Sequence, residues 1–384
     1  MSKRVMLALT PAGGGHAAVA RAVSQALSVL APDVAVSEVN VFSPEYAYFP
    51  LTAIPRAYAR LTTEMPAVWR GLFRATDGLA YTPVERLAQP IMRPALRAAL
   101  EAALPDVIVS LNPALGNTMQ CAVRDLGWHI PLGVVISDLV SIHPAWFCRG
   151  AAWHAVPSEE AWWACRAAGI DPATIHLTGQ PVGLDFCQEV ADRPALRRSL
   201  GLPTEEPVVL IAGGGEGVGS VEETVSALLA SGLSCHLVVI TGRNERLRQR
   251  LAHRAAGSHV HVLGFVTNMA DWMHAADLLI TKAGPNTIME AVHCGLPLIL
   301  TGAIPGQEEA NLDYVRSRGL GIVATQPAEV VAAVKEMLGN PERAAHFKPA
   351  MQKVRRPDAA LRVARLILDS QVDRISPLCY PISD

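Results

Sequence analysis

Charge is scarce in this chain. Only 18% of its 384 residues are Asp, Glu, Lys or Arg, and the formal net charge is −2. That excludes the basic face a nucleic-acid binder usually carries. No apolar run approaches the roughly 20 residues needed to span a bilayer. The basic start Lys3-Arg4 followed by Val5–Leu9 imitates a secretion signal. Its apolar part is too short, however, and a glycine-rich turn stands where a cleavage site would be. The seven cysteines, at 121, 148, 165, 187, 235, 294 and 379, include no Cys-x-x-Cys pair and are odd in number. A disulfide framework or zinc ribbon is therefore not expected, and a reducing cytoplasm is the expected compartment. His259-Val-His261 would share one face of a strand. With no third ligand nearby in sequence, they read as solvent-facing strand histidines and no metal site is expected.

What the chain has instead is apolar bulk. Half of its residues are hydrophobic, which suits parallel sheets buried on both faces, and the length suits two domains. The stretch organising the reading is Thr281-Lys-Ala-Gly-Pro-Asn-Thr-Ile-Met-Glu290. A strand at Leu278–Ile280 breaks at Gly284-Pro285, and a helix over Thr287–Cys294 is closed by Gly295. A second strand, Leu296–Leu300, turns through Pro305-Gly306 and delivers Gln307 and Glu308. The carboxyl ends of strands are where open α/β sheets hold ligands, and a helix N-terminus suits phosphate. Glu290, one turn in, suits the two hydroxyls of a ribose. The alternative is a plain helix cap with surface carboxylates.

A repeat supports two facing Rossmann-like domains. Val5–Leu9, the turn Thr10-Pro-Ala-Gly-Gly-Gly-His16 and a helix over Ala17–Leu30 form the first copy. The pattern returns 200 positions later as Val208–Ala212, Gly213-Gly-Gly-Glu216 and Val221–Leu229. Between residues 42 and 100 come Phe42, Tyr46, Tyr48, Phe49, Tyr58, Trp69, Phe73 and Tyr81, interleaved with seven arginines against four acids. Seven prolines are expected to divide this segment into short helices. Aromatic plus basic suits an interfacial membrane surface; an ordinary helical subdomain with inward-facing aromatics is the competing reading. Regular βα alternation then resumes. Ser137-Asp138 stand at the tip of Leu132–Ile136, and a final helix, Ala359–Ser370, is expected to cross back onto the first domain.

These motifs together resemble the monogalactosyldiacylglycerol synthases and bacterial diacylglycerol glycosyltransferases, GT-B enzymes related to the lipid II synthase MurG. The resemblance lies in Gly13-Gly-Gly-His16, Tyr58–Asp77, Ser137-Asp-Leu139 with His143-Pro-Ala-Trp-Phe147, and Gly179-Gln-Pro-Val182. It continues through Gly213-Gly-Gly-Glu-Gly217, Gly242-Arg-Asn244, Gly264-Phe265, Thr281–Glu290 and Pro305–Asn311. It implies an α/β GT-B fold. Residues 1–185 would form the acceptor and membrane-facing domain and 186–356 the UDP-sugar domain, with 357–384 crossing back. It also implies an inverting transfer of a hexose, galactose favoured, from a UDP-sugar to diacylglycerol, without a cofactor. The setting would be the inner, cytoplasmic face of an anionic membrane. Gly214, Gly215, Glu216 and Arg243 would take the diphosphate edge, and Phe265 and Val266 the uracil. Lys282 and Gly284, Pro285, Asn286 and Thr287 would approach phosphate, Glu290 the ribose, and Gln307 and Glu308 the sugar. His16 would act as general base, with Asp138 orienting or replacing it. Gly14, Gly15, Trp69, Arg70, Arg74 and Trp146 would face acceptor and membrane. Asn286 stands where the family often has glycine, and Ala17 where it often has arginine.

The chemistry suits these residue types. A histidine titrates near neutrality, as a general base should. With no Asp-x-Asp pair for a metal, the leaving charge would fall to Lys282 and helix N-termini. A glucosyl- or other lipid-acceptor transferase, a UDP-sugar epimerase of the same fold, and a non-catalytic sugar-nucleotide sensor are the rival readings. Neither glycine turn has the spacing of a dinucleotide site.

Overall fold

Continuous apolar strands between amphipathic helices build two six-stranded sheets, every pairing parallel. The structure is a computed structural model that describes residues 2–10, 14–77, 81–215, 220–254 and 259–371. The first sheet holds β1 (Arg4–Leu9), β2 (Ala35–Asn40), β3 (Val107–Ser110), β4 (Leu132–Val135), β5 (Trp153–Val156) and β6 (Ile175–Leu177). Their spatial order is β2-β1-β3-β4-β5-β6. The second sheet holds β7 (Val208–Ala212), β8 (His236–Ile240), β9 (Val260–Leu263), β10 (Leu278–Thr281), β11 (Leu298–Leu300) and β12 (Gly321–Val323). Its order, β12-β11-β10-β7-β8-β9, reverses direction between β10 and β7. The first sheet reverses between β1 and β3. Such switch points open a crevice beyond the strand ends, and the organising stretch follows β10 while the first glycine turn follows β1.

The helix of the organising stretch starts two residues earlier than its periodicity predicts, at Pro285. Proline lacks the N–H that a first helical residue leaves unused. A larger difference lies in the 42–94 segment. Helices Ile54–Glu64 and Pro66–Ala75 are short as expected, but Tyr81–Ala103 is one 23-residue helix with Pro90 and Pro94 inside it. Met92, Ala95, Leu96, Ala99 and Leu100 bury one face of that helix in the core beside β3 and β4. Burial of that face offsets what two interior prolines cost.

The last helix, Ala359–Asp369, packs on the first sheet. Ala360, Val363, Ala364 and Ile367 sit in one core with Val5, Leu7 and Val109 of the first sheet. Lys3 Nζ donates to the carbonyls of Ile367, Leu368 and Ser370 at 3.2, 2.6 and 2.8 Å, meeting the acceptors a helix end leaves open. The segment that leaves the first sheet after β6 is buried at Gln180, which is fully enclosed, and at Val182, which joins the core of the second sheet. Among the described residues no helix is long and apolar enough to cross a membrane.

Candidate active site

The two glycine turns meet face to face. Gly14, with φ 78°, caps the helix Gly15–Leu30, and a Cβ placed on it would stand 3.8 Å from Gly215 Cα. On the other side the turns after β7 and β8 interlock. Arg243 N–H donates to Gly215 O at 2.9 Å, and a Cβ at Gly242 would come within 2.4 Å of that same oxygen. Only glycine fits there, since backbone cannot yield as a side chain would. One cleft therefore runs between the sheets. Gly14, Gly15, His16 and Asp138 line it from the first half. Gly214, Gly215, Arg243, Phe265, Val266, Lys282, Gly284, Pro285, Asn286, Thr287, Glu290, Gln307 and Glu308 line it from the second. Glu216 lies outside the described residues.

On the second half, Lys282 Nζ bonds Glu308 Oε1 at 2.5 Å, and the Ile304 N–H donates to Glu308 Oε2 at 3.0 Å. Both carboxylate oxygens of Glu308 are thus engaged. Asn311 Nδ2 donates to Ala283 O at 2.9 Å and fixes the turn that opens the helix. Asn286 spans the cleft: its Nδ2 donates to Gly15 O at 2.7 Å, and its Oδ1 accepts from Gln180 Nε2. Burial pushes the Glu290 carboxyl up to about 7, with the positive charge of Arg21 partly opposing it. The Arg243 guanidinium lies 4.9 Å over the half-exposed Phe265 ring, a cation–π platform at the cleft edge.

On the first half, burial holds the His16 imidazole down at about 4, against a raising hydrogen bond with the Thr10 backbone. Asp138 is pushed up to about 6, chiefly by burial and further by the Glu308 charge, while the Trp146 N–H lowers it. At neutral pH the imidazole is neutral and the carboxylate charged. Trp146 touches both: its Nε1 donates to Asp138 Oδ2 at 2.7 Å, and its ring stands edge-on to His16 at 6.0 Å.

The comparisons with known proteins cover both halves. Residues 16–182 match the family described as Monogalactosyldiacylglycerol (MGDG) synthase, and residues 208–363 match the Glycosyltransferase family 28 C-terminal domain. The chain is 34% identical over 352 residues to the probable monogalactosyldiacylglycerol synthase 2 of Oryza sativa subsp. indica, across 87% of this chain and 73% of that one. The chain belongs to the monogalactosyldiacylglycerol synthase family. It is a glycosyltransferase with two Rossmann-like domains in the GT-B arrangement. Solved structures repeat that fold at low identity. MurG of Acinetobacter baumannii superposes with a TM-score of 0.59 at 16% identity, over 96% of this chain and all of that one. A putative UDP-N-acetylglucosamine 2-epimerase of Listeria monocytogenes gives 0.60 at 16%, over 96% of each chain.

Within this MGDG synthase family member, two positions assigned to acceptor and membrane, Trp146 and Trp69, pack inward, and two others, Arg70 and Arg74, stay exposed while making a further contact. Trp146 is a buried support under His16 and Asp138, only 1% exposed. Its ring is held there by a short 3-10 turn, Pro144–Trp146. Trp69 packs edge-on to Tyr58 at 5.1 Å and against Phe73 at 6.1 Å. Arg70 and Arg74 reach Glu309 of the second half at 2.9 and 3.9 Å, so they bridge the domains. The cleft also takes in Arg21, which the sequence reading leaves out, and Tyr58 and Ser137, which it names without giving either a part in the site. Tyr58 donates its hydroxyl to Gln307 Oε1 at 3.1 Å, and Arg21 and Ser137 line the wall. Arg21 has only a weak local signal, a cation one turn after Ala17 on the polar face of its helix, which Ser24, Gln25 and Ser28 continue. Tyr58 has none, being 249 positions from its partner.

Proposed function

We propose that this chain transfers galactose from UDP-galactose to the free hydroxyl of diacylglycerol, inverting the anomeric centre to give a β-galactosyl lipid. One observation carries the reading: a phosphate-type site and a base pair line one cleft from opposite halves. Lys282 and the N-terminus of the helix Pro285–Cys294 stand on one side, His16 and Asp138 on the other. Residues 1–185 hold the acceptor, 186–356 the donor, and 357–384 return to the first domain. Phe265 and Val266 take the uracil and Glu290 the ribose, and Gly214, Gly215 and Arg243 take the diphosphate edge. Gln307, steadied by Tyr58, reads the sugar, while Glu308 holds Lys282 in place. In the reaction the acceptor oxygen loses its proton to His16 or Asp138 as it attacks the anomeric carbon. The bond from that carbon to the phosphate oxygen breaks, and Lys282 with the helix N–H groups meets the charge on departing UDP. That needs no cofactor.

The lipid reaches the cleft from a membrane surface, which the exposed apolar side chains support. Tyr48 and Phe49 are 85% and 84% exposed. Met65, Val68 and Leu72 form a helical stripe facing outward, as do Val84, Leu87 and Ile91. Arg56 and Arg86 are exposed cations of the same segment; Arg60, Arg70 and Arg74 are exposed as well, with Arg60 reaching Glu64 and the other two Glu309. The protein lies peripherally on the cytoplasmic face of an anionic membrane. The test is purified protein with diacylglycerol and either UDP-galactose or UDP-glucose. Galactolipid formation with UDP release is expected. Conversion of the UDP-sugar without acceptor would make it an epimerase and sink the reading.

A further inference from the structure

Away from the cleft, at the opposite end of the second sheet, three ligand-type side chains converge that the transfer reaction does not use. Strand register brings them there. β7, β8 and β9 are neighbours, with Val208 opposite His236 and Leu237 opposite Val260. Residues at or just before the first positions of these strands therefore meet at the amino edge. These are Glu206, His236 and His259, and one donor atom from each lies within 4.8 Å of the other two. Backbone bonds fix the spacing: the His236 N–H donates to Pro207 O at 2.7 Å and the Leu237 N–H to His259 O at 2.9 Å.

A second observation points to a ligand. The His236 side chain is only 8% exposed, and its Nε2 is shut off from water with no hydrogen-bond partner among the described residues. A buried polar atom in that state calls for a partner, and a bound ion is one. His261 stands edge-on to His236 at 4.7 Å.

We infer that Glu206, His236 and His259 bind a zinc-class divalent cation on the back of the donor domain. Two imidazoles and one carboxylate suit Zn²⁺, whereas Mg²⁺ and Ca²⁺ prefer all-oxygen sets. Three protein ligands leave a fourth tetrahedral position for water. The ion would tie together the starts of three strands, at the end of the sheet opposite the cleft, and so act on stability rather than on transfer.

The experiment uses tag-free, metal-stripped, full-length protein titrated with zinc sulfate or magnesium chloride, read by calorimetry and thermal unfolding. Cobalt(II) absorption reports tetrahedral geometry. Glu206→Gln and His259→Ala alter exposed side chains and keep the test independent of the buried His236→Ala. One zinc per chain, a rise in melting temperature with zinc but not magnesium, and intense cobalt bands are expected. Each variant should lose at least about 10–100-fold in zinc affinity, the loss seen even for groups that only support a ligand, with circular dichroism unchanged. Equal zinc affinity in wild type and both exposed variants overturns the site, since the metal then binds elsewhere.

Discussion

His16 and Asp138 differ in the pH at which each becomes a base, which separates their roles. His16, held at about 4, is neutral through the working range, whereas Asp138, raised to about 6, loses its charge as pH falls through that value. If the charged carboxylate is required, kcat/KM falls on the acid side with an apparent pKa near 6. In Asp138→Asn that limb should move toward 4 if His16 takes the proton. A wild-type profile flat down to pH 5 would remove Asp138 from the chemistry. His16→Ala should lower kcat by about 10²–10⁴ with UDP affinity nearly intact; more than a tenth of the rate remaining passes the base role to Asp138. Donor recognition divides in the same way. Glu290→Ala should weaken UDP itself and Gln307→Ala the sugar-bearing donor, each by roughly 1–3 kcal/mol, the cost of a lost buried hydrogen bond. Calorimetry with UDP and UDP-galactose reads this, and equal losses for both ligands in the Gln307 variant would exclude sugar reading.

Among the elements, the outward stripes of Pro66–Ala75 and Tyr81–Ala103 invite a membrane. Phe49→Ser and Leu87→Ser each remove a side chain whose burial is worth about 1.5–3 kcal/mol, so co-sedimentation with anionic vesicles should drop at least tenfold while UDP binding holds. Arg56→Ala with Arg86→Ala should weaken pelleting at low salt and matter less at high salt. Variants that pellet like wild type at every salt concentration would make the segment a helical subdomain only. This is also where sequence and structure part most. The strands were legible because hydrophobic period is local, and the residues named in the second half do line one cleft, Glu216 lying outside the described residues. The arginine and aromatic residues of 42–94 were visible, but their direction was not. Trp69 turns to its near neighbours Tyr58 and Phe73, whereas Arg70 and Arg74 reach Glu309, and no periodicity encodes a partner on another domain. Trp146 under Asp138 was hidden for a different reason: its partner is only eight residues away, but an irregular loop has no period from which to read a side chain's aim.

At the level of the molecule, the halves are pinned across the cleft by Asn286 to Gly15 and Gln180, by Tyr58 to Gln307, and by Arg70 to Glu309. Asn286→Gly removes the first tie. It should enlarge the ligand-free radius of gyration in small-angle scattering, with UDP-galactose restoring the compact value. An unchanged radius would mean that the other contacts alone set closure. The returning helix has a consequence for biosynthesis. Lys3 and the Ile367 carbonyl it holds are separated by 364 positions. At about 5–20 residues per second, a nascent β1 waits roughly 20–70 s for the helix that covers it. The second sheet has all its strands before that helix is made. The half that begins first on the ribosome is therefore the half completed last, and through that interval the apolar surface that Ala360, Val363, Ala364 and Ile367 will cover, beside the helix Gly15–Leu30, stays open to water and to wrong partners.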